Sequence, residues 1–96
     1  MDVTPVNYEL SFEPDLKKFI FSGTETITAI CKKSVSTITM HCAEIKIKSC
    51  TVSFNGKPIK STPKNDEKKE ELSIKLEKKI KGNVLINLEF QGILND

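Results

Sequence analysis

Apolar and polar residues alternate along most of this chain, and the alternation comes in separate runs. Val6, Tyr8, Leu10 and Phe12 take every second place in the run from 6 to 13, and Val84, Ile86, Leu88 and Phe90 do the same from 83 to 91. Successive strand side chains point to opposite faces, so each run predicts a strand that buries one face and wets the other. A second strand starts near Phe19 and reaches Cys31, with Phe19, Phe21, Ile27, Ala29 and Cys31 on one face and Thr24, Thr26 and Thr28 on the solvated one. Pro14-Asp15 separates the first two strands, because proline donates no ladder hydrogen bond and Asp bonds readily to nearby backbone in turns. Gly23, inside the second strand, predicts a bulge or a close backbone approach.

Further along, Lys32-Lys33-Ser34 reads as a charged turn, followed by short strands from 37 to 41 and from 44 to 48. The alternation then changes phase, for Ile45 and Ile47 share one parity while Cys50, Val52 and Phe54 share the other. A bulge near Ser49 keeps both sets inward. Asn55-Gly56 predicts a type I′ turn that folds Lys57 to Lys60 back on Val52 to Phe54. Residues 61 to 71 show no apolar period and contain Pro63, which predicts a mobile hairpin tip. From Leu72 to Ile80 two readings stand. Leu72, Leu76 and Ile80 recur every four residues, with Asn65 or Asp66 as a cap and Gly82 as a stop, which suits a helix; Leu72, Ile74 and Leu76 also alternate, which suits a strand.

Ninety-six residues make one domain, 1–96, too small for a deep active-site cleft unless other segments complete it. No run approaches the ~18 apolar residues of a membrane span, and Met1 to Pro5 lack the regions of a signal peptide. The expectation is a cytoplasmic chain with no membrane partner. The net charge of +2 combines 15 basic and 13 acidic residues. Every basic residue is lysine, and without the bidentate guanidinium a dedicated nucleic-acid reader is not expected.

Cys31, Cys42 and Cys50 are odd in number and include no Cys-x-x-Cys pair, so three reduced, mostly buried thiols are expected. His41 and Cys42 are neighbours whose side chains point to opposite faces of a strand. A catalytic thiolate would need Cys31 or Cys50 to reach His41 across strands, against simple core packing for both. One histidine cannot supply the two that a His-Glu-x-x-His zinc site requires, and no nucleophile elbow, Walker loop or dinucleotide fingerprint occurs. Glu9, Glu13 and Glu89 fall on solvated faces. Glu25 shares a face with Phe21 and Ile27, so either a bulge at Gly23 turns it out or it pairs with a lysine. The lysine and glutamate run from Lys64 to Glu71 reads as a solvated loop. No catalytic, cofactor-binding or metal residue is assigned, and exposed edge strands predict self-association.

Five motifs stand in order: Pro5-x-x-Tyr8-x-Leu10, Pro14-Asp15-Leu16, Phe19-x-Phe21-x-Gly23-x-Glu25, Ile38-x-Met40-His41, and Phe90-x-Gly92-x-Leu94-Asn95-Asp96. In this order the chain resembles the start of the HExxH zinc aminopeptidases, the family of the puromycin-sensitive and tricorn-interacting enzymes. The resemblance spans Pro5 to Asp96. It implies an all-β fold, an antiparallel or mixed β-sandwich shaped like a saddle, which packs on a thermolysin-like catalytic domain of the same polypeptide. It also implies a parent enzyme that uses zinc to remove N-terminal residues from peptides, and it favours the strand over the helix at Leu72, as the first arm of a hairpin whose basic turn, after Leu76, leads through Gly82 into the last strand. The family's zinc helix, substrate loop and catalytic tyrosine belong downstream, so the chain is expected to be the leading piece of a larger protein, without zinc of its own, serving as scaffold and one wall of the substrate cavity. A stand-alone β-sandwich that binds a protein partner is the alternative from another class, and a small independent enzyme is a third.

Overall fold

The computed structural model describes residues 3–42 and 45–93, and within them the chain is built of strands and turns. The strands are β1 (Val3–Asp15), β2 (Ile20–His41), β3 (Ile45–Phe54), β4 (Lys57–Ile59), β5 (Ser61–Asp66) and β6 (Glu71–Ile93). They form one six-stranded sheet in the order β1-β2-β6-β3-β4, with β5 also on β6. All five pairings are antiparallel. The all-β expectation holds, and no parallel pair makes the sheet mixed.

Two long strands organise it. β2 and β6 pair from Ile20↔Ile93 to Cys31↔Gly82, slip in register on either side of the single pair Val35↔Ile80, and resume from Thr37↔Lys75 to His41↔Glu71. The slip divides the sheet into a five-stranded half (β1, β2 to Cys31, β6 from Gly82, β3, β4) and a three-stranded half (β2 from Val35, β6 to Ile80, β5). Along β6, Leu72, Ile74, Leu76, Ile80, Val84, Ile86, Leu88 and Phe90 share one face and are no more than 7% exposed. Side chains from both halves join a single core cluster. With no helix among the described residues to cover that face, the sheet covers itself by bending at the slip, and its two halves act as the two layers. Extra residues in a strand pair sharpen twist and bend, which is how one sheet makes both layers.

Several expectations need correction. Lys32-Lys33-Ser34 is no turn, because β2 runs through it, and the unpaired residues are absorbed by the slip between Cys31 and Thr37. Gly23 hosts no bulge, for the ladders on both sides of it run without a break. It marks a close approach instead. Phe90, its direct partner, lies over it so that an added Cβ would stand 2.7 Å from the ring, and Phe21 covers its own partner Gly92 in the same way. The two aromatic-over-glycine pairs are reciprocal, and Phe21 meets Phe90 edge-on at 6.3 Å.

Ser61 to Asp66 is a strand and not a hairpin tip. Pro63 fits because β5 pairs with β6 alone, and proline is tolerated on an edge whose outer side needs no donor. Lys60 N–H donates to Glu77 Oε1 and Glu77 N–H to the Lys60 carbonyl, which pins the start of β5 to β6. The ambiguity at Leu72 to Ile80 resolves as strand, but the basic turn implied after Leu76 is absent, because β6 runs unbroken from Glu71 to Ile93. A recurrence of four is also two strand periods, so both readings shared the same residues.

The bulge predicted near Ser49 lies between Ile47 and Ser49. Asn55 and Gly56 take φ of 52° and 77°, and Val52↔Ile59 to Phe54↔Lys57 pair as the Asn-Gly signal foretold. The β1–β2 and β5–β6 turns are built alike. Asp15 Oδ1 accepts from the Lys17 and Lys18 amides, Asp66 Oδ1 from those of Lys68 and Lys69, and each turn closes on a residue at positive φ, Phe19 or Glu70.

Candidate functional site

The residues with chemical potential do not converge. His41 is exposed at the end of β2, with Nε2 3.8 Å from Glu70 Oε2, an exposed contact of little energetic weight. Cys42 turns the other way into the core, its amide donating to the Glu70 carbonyl. Cys31 is buried at the end of the other half of β2, and Cys50 lies on β3 opposite Leu88, so neither thiol meets His41. Burial pushes all three thiols up from their ordinary value; the charge of Glu25 adds to the effect at Cys42, and a hydrogen bond with Ser61 offsets part of it at Cys50. All three cysteines are free. Among the described residues no group of three or more His, Cys, Asp or Glu could hold a metal ion. The residues described do not fit a zinc centre.

Glu9, Glu13 and Glu89 are exposed, as expected of the solvated face, and on that face Thr26 Oγ1 bonds Asn87 Oδ1 at 2.8 Å. Glu25 meets neither of its expected fates. No bulge turns it out, and no lysine among the described residues forms an ion pair with it. It stays on the core face, half-buried, with Leu10 opposite it on β1 and Leu88 opposite it on β6. Burial raises its carboxyl above the ordinary value.

Glu25 stands at the margin of the core. Register places Tyr8, Leu10 and Phe12 on the same face as Ile27, Glu25 and Gly23. That face ought to be buried by the alternation, yet Tyr8 is 56%, Leu10 65% and Phe12 54% exposed. The three-stranded half covers β6, β3 and the inner part of β2, and β1 lies beyond its reach. An apolar strip therefore borders the core in the open, with Phe12 tilted on Phe21 at 5.1 Å and an unpaired carboxyl beside it. Contiguous exposed apolar surface marks a place for another structure to pack. A groove of about 550 Å³ lies at the far end, where β2, β3 and β5 meet, lined by Cys42, Ile45, Asn65 and Glu70 among others. Asn65 Nδ2 donates to the Ile45 carbonyl at 3.2 Å there, and its Oδ1 is buried with no partner among the described residues.

Residues 4–96 match the Peptidase M1 N-terminal domain family. The chain belongs to that family. It is also 30% identical over 100 residues to the protein called "Aminopeptidase 2, mitochondrial" of Saccharomyces cerevisiae, an alignment that takes in 99% of this chain and 10% of that relative. This M1 N-terminal domain thus spans about a tenth of the curated relative it matches. The matched stretch includes every one of the five motifs, although Leu94-Asn95-Asp96 at the end of the last lies outside the described residues, as do Ala43 and Glu44.

Sequence reasoning missed the uncovered strip, since Val6 to Phe12 reads like any half-buried strand. It also missed the twin turns, although Asp-x-Lys-Lys-x stands at residue 15 and again at 66 and was there to be read.

Proposed function

We propose that this domain is a non-catalytic scaffold of a zinc-dependent aminopeptidase that hydrolyses N-terminal residues from peptides, forming one wall of the substrate cavity. The observation that carries the proposal is the match to the M1 N-terminal domain over residues 4–96. The uncovered strip of Tyr8, Leu10 and Phe12 supports it, because an apolar face continuous with the core suits packing against the catalytic domain of the same polypeptide. Zinc would be held by residues of that catalytic domain, where it would activate the attacking water and polarise the peptide carbonyl. This domain's part is to shape and support. Three free thiols support a reducing compartment, and we place the protein in the cytoplasm.

The test has two arms. The reading frame beyond Asp96 should encode an HExxH motif followed by a further Glu, and the purified 96-residue chain should neither hydrolyse aminoacyl fluorogenic substrates nor retain zinc at one equivalent. A frame without HExxH would favour the stand-alone interaction module, and stoichiometric zinc or turnover by the short chain would sink the scaffold reading.

A further inference from the structure

The sheet has five free edges among its described residues, and four are guarded. β1 carries Pro5, Pro14, Glu9, Glu13 and a register break after Pro5. The short β4 carries Lys57 and Pro58, the part of β3 that β4 does not reach carries Lys46, Lys48 and a bulge after Ile47, and β5 carries Pro63 and Lys64. Proline, charge and bulges are the devices that keep an edge from pairing with another chain. The fifth edge has a register shift at its start, between Val35 and Thr37, and neither of the other two devices after it. β1 pairs with β2 only as far as Cys31, so from Val35 to His41 β2 bonds β6 on one side and no described strand on the other. Its sequence, Ser34-Val35-Ser36-Thr37-Ile38-Thr39-Met40, holds no charge, no proline and no glycine. It is rich in the β-branched residues that suit strands.

The two ends of this edge differ in charge. Lys32 and Lys33, both exposed, precede it, and it finishes at His41 beside Glu70, with Glu71 directly opposite on β6. A strand laid along it in parallel from an identical chain would set lysines against lysines. Laid antiparallel, the basic end of each copy meets the acidic corner of the other. We propose that this edge is a pairing site for a second copy of the chain, antiparallel about Thr37, with Lys33 of each copy at the partner's His41–Glu70 corner. Centring on Thr37 keeps Ile38 and Met40 on the inner side, so the partner's strand extends the core face. Seven residues a side make a small interface beside the ~1,200 Å² of a stable complex, so the dimer is weak and concentration-dependent.

Sedimentation velocity on the intact chain across a concentration series tests this. A reversible dimer is expected. Thr37→Lys sets two lysines face to face at the two-fold axis and should leave a monomer; Thr37 is exposed, so circular dichroism should show the sheet unchanged. Lys33→Glu should weaken the dimer by roughly two- to ten-fold, and adding Glu70→Lys in the same chain should restore it. A monomer at every concentration overturns the proposal and leaves the edge to a strand from a different polypeptide. A dimer indifferent to Thr37→Lys shows that another surface is used, and failure of the charge swap to restore pairing overturns the antiparallel arrangement.

Discussion

β1 and the second half of β6 carry almost the same apolar rhythm and come to opposite ends. Val84, Ile86, Leu88 and Phe90 are 0 to 7% exposed, whereas Val6, Tyr8, Leu10 and Phe12 are 54 to 65% exposed. Both strands present their apolar residues to the same side of one sheet. What separates them is company. β6 has β2 on one flank and β3 on the other, and the folded-over half lies on top of it; β1 has β2 alone and nothing above. Alternation secures the strand and its face, while burial depends on how far the opposing layer extends.

Truncating one member of each strand should separate them most sharply. Ile86→Ala removes a side chain with no exposure and should cost about 2–5 kcal/mol, the range for emptying a packed site, which is a large part of what a small domain has. Leu10→Ala should stay within about 0.5 kcal/mol, as for substitutions away from a packed site. Urea denaturation of both variants measures the contrast. Equal losses would mean that β1 is covered after all.

Gly23 of β2 and Gly92 of β6 give the next effect. At Gly23 an added methyl meets the Ser11 carbonyl oxygen as well as the ring of Phe90, and backbone of β1 cannot step aside without disturbing its ladder. At Gly92 the three nearest atoms to the methyl all belong to the ring of Phe21, a side chain and not backbone. Gly23→Ala should therefore cost about 1–3 kcal/mol, in the range for overpacking, and Gly92→Ala less. Thermal unfolding of the pair checks the order, and the reverse order would show that the rings are held more firmly than the β1 backbone.

Much of this architecture could be read along the chain. The Asn55-Gly56 turn, the bulge before Ser49 and the antiparallel hairpins follow from local chemistry, where a few adjacent residues decide the outcome. The bend could not be read, because Lys32-Lys33-Ser34 and Glu77-Lys78-Lys79 look like two polar turns until β2 and β6 lie side by side and share the slip. Pro63 misled for a related reason: whether proline is tolerated depends on which side of β5 lacks a partner. The five motifs reached the right family and could say nothing of the uncovered strip, since exposure of Leu10 depends on where a layer more than twenty residues away stops.

Glu25 tests the border between the two regions with the smallest effect and the clearest sign. Its carboxyl is raised above its ordinary value of 4.5 by burial, so the folded state holds the proton more tightly than the unfolded one. Stability contributed by the protonated form is present below that value and falls as pH rises through and above it. Glu25→Gln removes this dependence. The variant should gain on the parent as pH climbs from 4 to 7, reaching about 0.5 kcal/mol after allowance for the half-exposed site, a rise of about 2–4 °C in Tm for a domain of this size. The opposite slope, with the variant losing ground toward neutral pH, would mean that a cation pairs with Glu25 and lowers its carboxyl, and the margin of the core would then be a salt-bridged seam and not an unsatisfied one.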